Sequence, residues 1–188
     1  MRRFAVAALA LLLGACAAVG PREAANPAAG SVLAAPFDID GRLSARRGSE
    51  GGAAGFSWVH RGASDEIDLV TPLGQTLARL TGDAAGARAQ WPDGRTVEAR
   101  DFDALTERIL GVGVPVQGLV AWLRGLARPG SPASVERDAQ GRPSLLRQDG
   151  WEIAYRYADS AAARANALDL RYADAEATSV RILIDRWQ

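Results

Sequence analysis

A nucleophile, a base or a metal cluster would have to come from very few residues of this chain. Cys16 is its only thiol and His60 its only imidazole. His60 stands alone near a strand end, where a single histidine is expected to be structural or solvent-facing. Asp38 and Asp40 lie two apart, with Asp65, Glu66 and Asp68 nearby. Paired carboxylates do acid–base work when suitably placed, but these read as an ordinary solvated face. Ser57 and Ser64 have no base positioned by a motif, and no G-x-S-x-G elbow occurs. Gly48 to Gly55 is glycine-rich yet lacks the lysine and helix start of a phosphate loop. No catalytic constellation results, and neither a metal site nor a cofactor is expected.

The chemistry that remains is at Cys16. Arg2 and Arg3 give a charged start, and Phe4 to Leu13 an apolar stretch of signal-peptide length. That stretch is too short for a bilayer, which needs about 20 residues. Leu13-Gly14-Ala15-Cys16 resembles the bacterial lipobox, with Gly14 where Ala, Ser or Thr is commoner. The resemblance implies that the thiol receives a diacylglycerol, that residues 1–15 are removed as a signal peptide, and that the new amino terminus is acylated. The alternative is a secreted protein with an incidental cysteine near its cleavage site. Ala17 rather than Asp follows the cysteine, which implies sorting to the outer membrane. Residues 16–35 are rich in Ala, Pro and Gly without a sustained period, and read as a tether that lifts the domain off a membrane.

Composition agrees with an exported globular domain. Of 188 residues, 22 are basic and 22 acidic, so the formal net charge is zero and no bulk field points to nucleic acid. Every basic side chain is arginine. Apolar content of 48% is ordinary, and the chain beyond the signal is long enough for one domain with a real core. With Cys16 lipidated no disulfide framework is possible.

From Phe37 the hydrophobic period becomes two. Phe37, Ile39, Gly41, Leu43 and Ala45 share one face, and Asp38, Asp40, Arg42 and Ser44 the other, the pattern of a half-buried strand. Phe56, Trp58 and His60, then Ile67 and Leu69, continue it, and further strands are expected over 75–81, 86–91 and 95–100. Thr71-Pro72-Leu73-Gly74 and Trp91-Pro92-Asp93-Gly94 are turns, with Pro presetting φ and Gly relieving a later position. Asp101 is expected to cap a helix carrying Phe102, Leu105, Ile109 and Leu110, with Gly111 as its stop. Pro115 suits the first position of a second helix carrying Val116, Leu119, Val120 and Leu123, with Trp122 beside that stripe and Gly125 as its stop. Strands resume over 133–138, 144–148, 151–157, 167–172 and 178–187. About eleven strands with two helices inserted after the sixth make a mainly β chain whose sheet must curl. Two helices cannot tile so large a concave face, so an apolar cavity is expected.

Ile39-Asp40-Gly41-Arg42-Leu43, Gly55-Phe56-Ser57-Trp58 and Thr71-Pro72-Leu73-Gly74 stand in the order and spacing of the LolB family. So do Pro115 with Leu119, Ala121-Trp122-Leu123-Arg124-Gly125-Leu126, Gln148 with Gly150-Trp151, and Asp185-Arg186-Trp187. The chain therefore resembles LolB over almost the whole of 36–188. The amino-terminal segment is shorter and richer in Ala and Pro than in better-known members, which leaves open whether a helix there packs on the barrel. The resemblance implies an incomplete antiparallel β-barrel with a helical lid over an apolar cavity. It also implies a monomeric outer-membrane lipoprotein, on the periplasmic face, that takes lipoproteins from the periplasmic carrier LolA and inserts them into the outer membrane.

Acyl-chain transfer sets the physical problem. Burial is worth about 0.8 kcal/mol per methylene, so three long chains resist desorption by roughly 30 kcal/mol or more. A cavity lined by Trp58, Ile67, Leu69, Ile153, Tyr155, Leu168, Leu170, Val180, Ile182 and Ile184 would offer an equivalent apolar phase, with Leu105, Ile109, Leu119, Trp122 and Leu123 as the lid. Each of these residues also fits simple core packing. Nothing resembles a nucleotide site, so transfer would run down an affinity gradient. Leu73, between Pro72 and Gly74, is expected to project and enter the lipid surface, a role the family's Pro-Leu-Gly turn implies; the alternative is that it folds back onto neighbouring strands. Other occupants of the same cavity, free lipid or lipopolysaccharide, and a purely structural lipoprotein remain open at this point.

Overall fold

A computed structural model describes residues 32–110, 114–173 and 177–188. Cys16, the signal and most of the tether lie outside the described residues, as does Gly111. Six strands run first: β1 (Phe37–Arg47), β2 (Glu50–Arg61), β3 (Ser64–Val70), β4 (Thr76–Asp83), β5 (Gly86–Gln90) and β6 (Thr96–Ala99). Two helices follow, α1 (Phe102–Leu110) and α2 (Val116–Trp122). Then come β7 (Ala133–Arg137), β8 (Pro143–Gln148), β9 (Trp151–Arg156), β10 (Ala167–Tyr172) and β11 (Ser179–Trp187). All eleven form one antiparallel sheet in the order β6-β5-β4-β3-β2-β1-β11-β10-β9-β8-β7. The chain's first and last strands meet at the centre, and the sheet is not closed into a barrel.

Alternation decides which face is buried, because successive side chains of a strand point to opposite sides. Phe37, Ile39, Phe56, Trp58, Ile67, Leu80, Ile153, Leu168, Leu170 and Ile182 all turn inward and are buried. The outer face carries arginine–carboxylate pairs across strands: Arg42 with Asp185, Arg186 with Asp40, Arg79 with Asp68 and Glu66, and Arg156 and Arg181 with Asp169. Exposed pairs contribute little stability each, but they set opposite charges face to face in one register. Gly41 is the close-approach point of the centre. The Phe56 ring lies over it, and a Cβ there would stand 2.0 Å from the Leu183 carbonyl oxygen, beside a register shift between Asp40 and Gly41.

The helices follow their expected signals with one shift. Asp101 caps α1, accepting from the Ala104 N–H at 2.7 Å. Pro115 sits one residue outside α2 in an extended conformation, not at its first helical position. Its carbonyl still accepts the Leu119 N–H at 2.8 Å. The stop at Gly125 is as expected. It has φ of 71°, and bonds from Gly125 N–H to the Trp122 carbonyl and from Leu126 N–H to the Ala121 carbonyl close the end in a Schellman pattern.

Residues 32–35, assigned to the tether from sequence, dock on the domain. Val32 to Ala34 form a helical turn, and Leu33 packs against the core.

Candidate functional site

Three turns share one backbone design. In 71–74, 91–94 and 138–141 the first residue's carbonyl accepts the N–H of a glycine three residues on. Gly74, Gly94 and Gly141 take positive φ of 82°, 86° and 78°, which glycine adopts without strain. The tips differ. Asp93 turns its carboxylate back onto the Arg95 N–H at 3.0 Å and side chain at 2.6 Å, whereas Asp138 and Thr71, each the first residue of its turn, accept the backbone N–H of Gln140 and of Gln75. Leu73 has no such partner and is 88% exposed. It does not fold back onto the strands. Leu77, on β4 just past the same turn, is also exposed.

The residues expected to line a cavity share the inner face, as predicted, but here they are packed. Trp58, Ile67, Ile153, Tyr155, Leu168, Leu170, Val180 and Ile182 are buried, as are Leu105, Leu119, Trp122 and Leu123, expected to form a lid, with Leu69, Ile109 and Ile184 partly buried against them. The helices' own side chains fill the space expected for acyl chains.

The interior opens towards the end that carries Leu73. A groove of about 640 Å³ is bounded by Ile109 and Val114 beside the helices, by Ala45, Gly51, Gly52 and Val180 of the sheet, and by the polar Arg46, Arg47, Ser49, Glu50 and Thr178. Its physical cause is small side chains. Ala45 pairs with Gly52 and with Val180, so the inward row has almost nothing to fill it. A Cβ added at Gly52 meets no atom within 4 Å. Of the predicted residues, Ile109 and Val180 meet in this groove. Ala45, Gly52 and Val114 are not among the residues expected to line a cavity, although a run of glycine and alanine on an inward face is a readable sign of missing volume.

α2 is held to the sheet by buried polar bonds. The Trp122 indole N–H donates to Gln148 Oε1 at 2.9 Å, and the Tyr155 hydroxyl donates to the Trp122 carbonyl at 2.9 Å. Burial, reinforced by Tyr157, pushes the Tyr155 hydroxyl pKa up, so it stays a donor. Gln148 also accepts the Arg128 N–H at 2.9 Å and donates to the carbonyls of Arg128 and Ser131. α1 packs on β5 and β6. Thr106 exchanges hydrogen bonds with Val114, and Arg108 donates to the Glu98 carbonyl on edge strand β6.

The remaining polar candidates sort as structural. Asp38 pairs with Arg61 and Asp40 with Arg186, while Glu66 and Asp68 pair with Arg79. Asp65 departs from the expected solvated face, because it alternates in phase with Ile67 and Leu69 and so turns inward with them. It accepts from Trp58 Nε1 at 2.7 Å and meets His60 Nδ1 at 2.8 Å. His60 is 3% exposed and is a core histidine, stacked on Phe37 at 5.0 Å. Among the described residues no cluster of metal-ligating side chains occurs.

A sequence model of the family described as outer membrane lipoprotein LolB matches residues 35–187. This chain belongs to the LolB family. It is 41% identical to a LolB of Cupriavidus necator over 93% of this chain and 90% of that protein. It is 38% identical to a LolB of Azoarcus sp. strain BH72 over 100% and 96%. Both relatives are named outer-membrane lipoproteins. Among solved structures, a LolA superfamily protein of Nitrosomonas europaea superposes with a TM-score of 0.52 at 8% identity, covering 85% of this chain and 92% of that one. A DUF1329 family protein of Desulfovibrio piger gives 0.57 at 8% identity, covering 86% and 91%. At such identities the likeness is one of fold. LolB membership and a LolA-like sheet thus converge on the curled sheet with helices expected from the hydrophobic pattern.

Proposed function

We propose that this protein is a lipid-anchored receptor on the periplasmic face of the outer membrane. It takes lipoproteins from a LolA-type carrier, holds their acyl chains between sheet and helices, and inserts them into the membrane's inner leaflet without nucleotide hydrolysis. Residues 1–15 are its signal peptide and Cys16 its lipidation site. The chains enter through the groove between Val114, Ile109 and the Ala45–Gly52–Val180 row. The packed interior is then the unloaded state, with the helices displaced from the sheet on loading. Leu73 enters the lipid surface and couples docking to release. The observation that carries this reading is a leucine at 88% exposure on a turn tip, at the same end of the sheet as a groove that combines Ile109, Val114 and Val180 with Arg46, Arg47 and Glu50.

The test is a transfer assay. A LolA-type carrier loaded with a lipoprotein is mixed with the Cys16→Ala protein, and cargo is followed by co-purification in the absence of nucleotide. Movement of cargo supports the receptor role. No movement, with an apolar fluorophore still bound, shifts the ligand to free lipid. Neither result would leave a structural lipoprotein.

A further inference from the structure

The first described residues and Leu73 lie at opposite ends of the sheet. His60 Nε2 meets the Leu33 carbonyl oxygen at 2.9 Å while its Nδ1 meets Asp65 at 2.8 Å. Both ring nitrogens thus face oxygen acceptors, and the ring bridges β2, β3 and the incoming chain. Arg124, just beyond α2, donates to the Ala35 carbonyl, and its guanidinium stands 4.8 Å from the Phe37 ring centre. Leu33 adds an apolar contact with the core. This clasp sits where Phe37 pairs with His60, at the end carrying the β2–β3 turn. The β3–β4 turn with Leu73 is at the other end. From His60 along β2 to Gly55, across to its partner Val70 and out to the turn tip, the separation is about 25 Å at roughly 3.3 Å per residue.

We infer that the clasp fixes where the chain from Cys16 meets the domain, so that Leu73 enters the membrane holding the anchor only if the intervening residues span the domain. The inference rests on the proposed lipidation of Cys16 and the proposed role of Leu73. It gives the segment before the clasp a length requirement and makes insertion end-on, with the clasp held away from the bilayer. From Cys16 to Leu33 is 17 residues along the sequence, which reach at most about 55–60 Å. That is roughly twice the separation. Removing twelve residues lowers the limit to about 17 Å, short of the distance required.

The experiment uses the lipidated full-length protein reconstituted in phospholipid vesicles, with residues 18–29 deleted. Uptake of cargo from the carrier is expected to be unchanged, while insertion of that cargo into the same vesicles falls tenfold or more. Twelve Gly/Ser residues in place of the deleted ones are expected to restore insertion. A deletion variant that inserts cargo at the wild-type rate overturns the inference, because the domain then lies flat or the clasp opens. Failure of the Gly/Ser replacement also overturns it, since residue identity rather than length would matter. The same deletion in the Cys16→Ala background is expected to insert like its unlipidated parent. If neither unlipidated protein moves cargo, the receptor reading itself falls and the length requirement falls with it.

Discussion

At the residue scale the sharpest contrast is between Leu73 and Asp93. Both occupy the third position of a Pro-containing turn with a positive-φ glycine next, so the backbone asks nothing of their side chains. Asp93 closes its turn and pairs with Arg95, whereas Leu73 leaves an apolar side chain in water. Burying a leucine is worth about 2 kcal/mol, or roughly a 30-fold change in an equilibrium. Leu73→Glu is therefore expected to lower insertion of cargo into vesicles at least tenfold. Unfolding free energy should stay within about 0.5 kcal/mol of wild type, as for other surface changes. Equal loss of uptake from the carrier would show that Leu73 serves docking to the carrier instead. Gly52 gives the complementary prediction. Its Cβ position is open, so Gly52→Phe should fold normally yet plug the groove, reducing both fluorophore binding and cargo uptake. Normal uptake would place the entrance elsewhere.

At the element scale the two helices carry different duties. Gln148 ties α2, the segment after it and β8 together through its one amide group. Gln148→Ala leaves a buried indole N–H and a backbone N–H without their acceptor, each costing about 1–3 kcal/mol. A loss of more than 2 kcal/mol in urea unfolding is expected, together with increased binding of an apolar fluorophore as α2 loosens. Asp101 holds the start of α1. Removing such a cap costs about 0.5–2 kcal/mol, which Asp101→Ala should show near neutral pH. The Ala104 N–H, then Arg100, hold the Asp101 carboxyl below the usual aspartate range. A depressed folded-state pKa gives stability that is complete above the unfolded value and is lost as pH falls through the folded one. The stability gap between wild type and Asp101→Ala should accordingly narrow on acidification; a gap constant from neutral pH to well below the aspartate range would rule out the charged cap.

On the scale of the whole molecule, β1 and β11 are the hinge of the design. They join the two arms of the sheet at its centre, while both helices lie in the single connection between its outer edges. An arm cannot unfold without exposing the inner face of the other, so urea should give one cooperative transition, with fluorescence and circular dichroism coinciding. Two separated transitions would mean that the arms are independent, and the helices a clip rather than a shared cover. Eleven strands in an open sheet also expose two edges, β6 and β7. Both are short, 4 and 5 residues, which limits edge-to-edge pairing.

The sequence by itself determined the elements and their faces. Period-two alternation, Pro–Gly turns and the caps at Asp101 and Gly125 are local signals, and each acts over a few residues. It also marked Leu73 as an exposed side chain, because a leucine between Pro and Gly in a turn has no near neighbours to cover it. Long-range pairing decided the rest. Only the pairing of β2 with β3 sets Asp65 opposite His60, and only the meeting of β1, β2 and β11 sets Ala45, Gly52 and Val180 side by side to leave a groove. Whether inner-face residues line a cavity or fill a core was equally illegible, since both need the same apolar side chains at the same spacing. How far the helices sink onto the sheet separates them, and here the helices sink far enough to pack the interior. The clasp at Leu33 escaped for a related reason: its hydrogen bonds use backbone carbonyls, which every residue carries, so no residue type announces them.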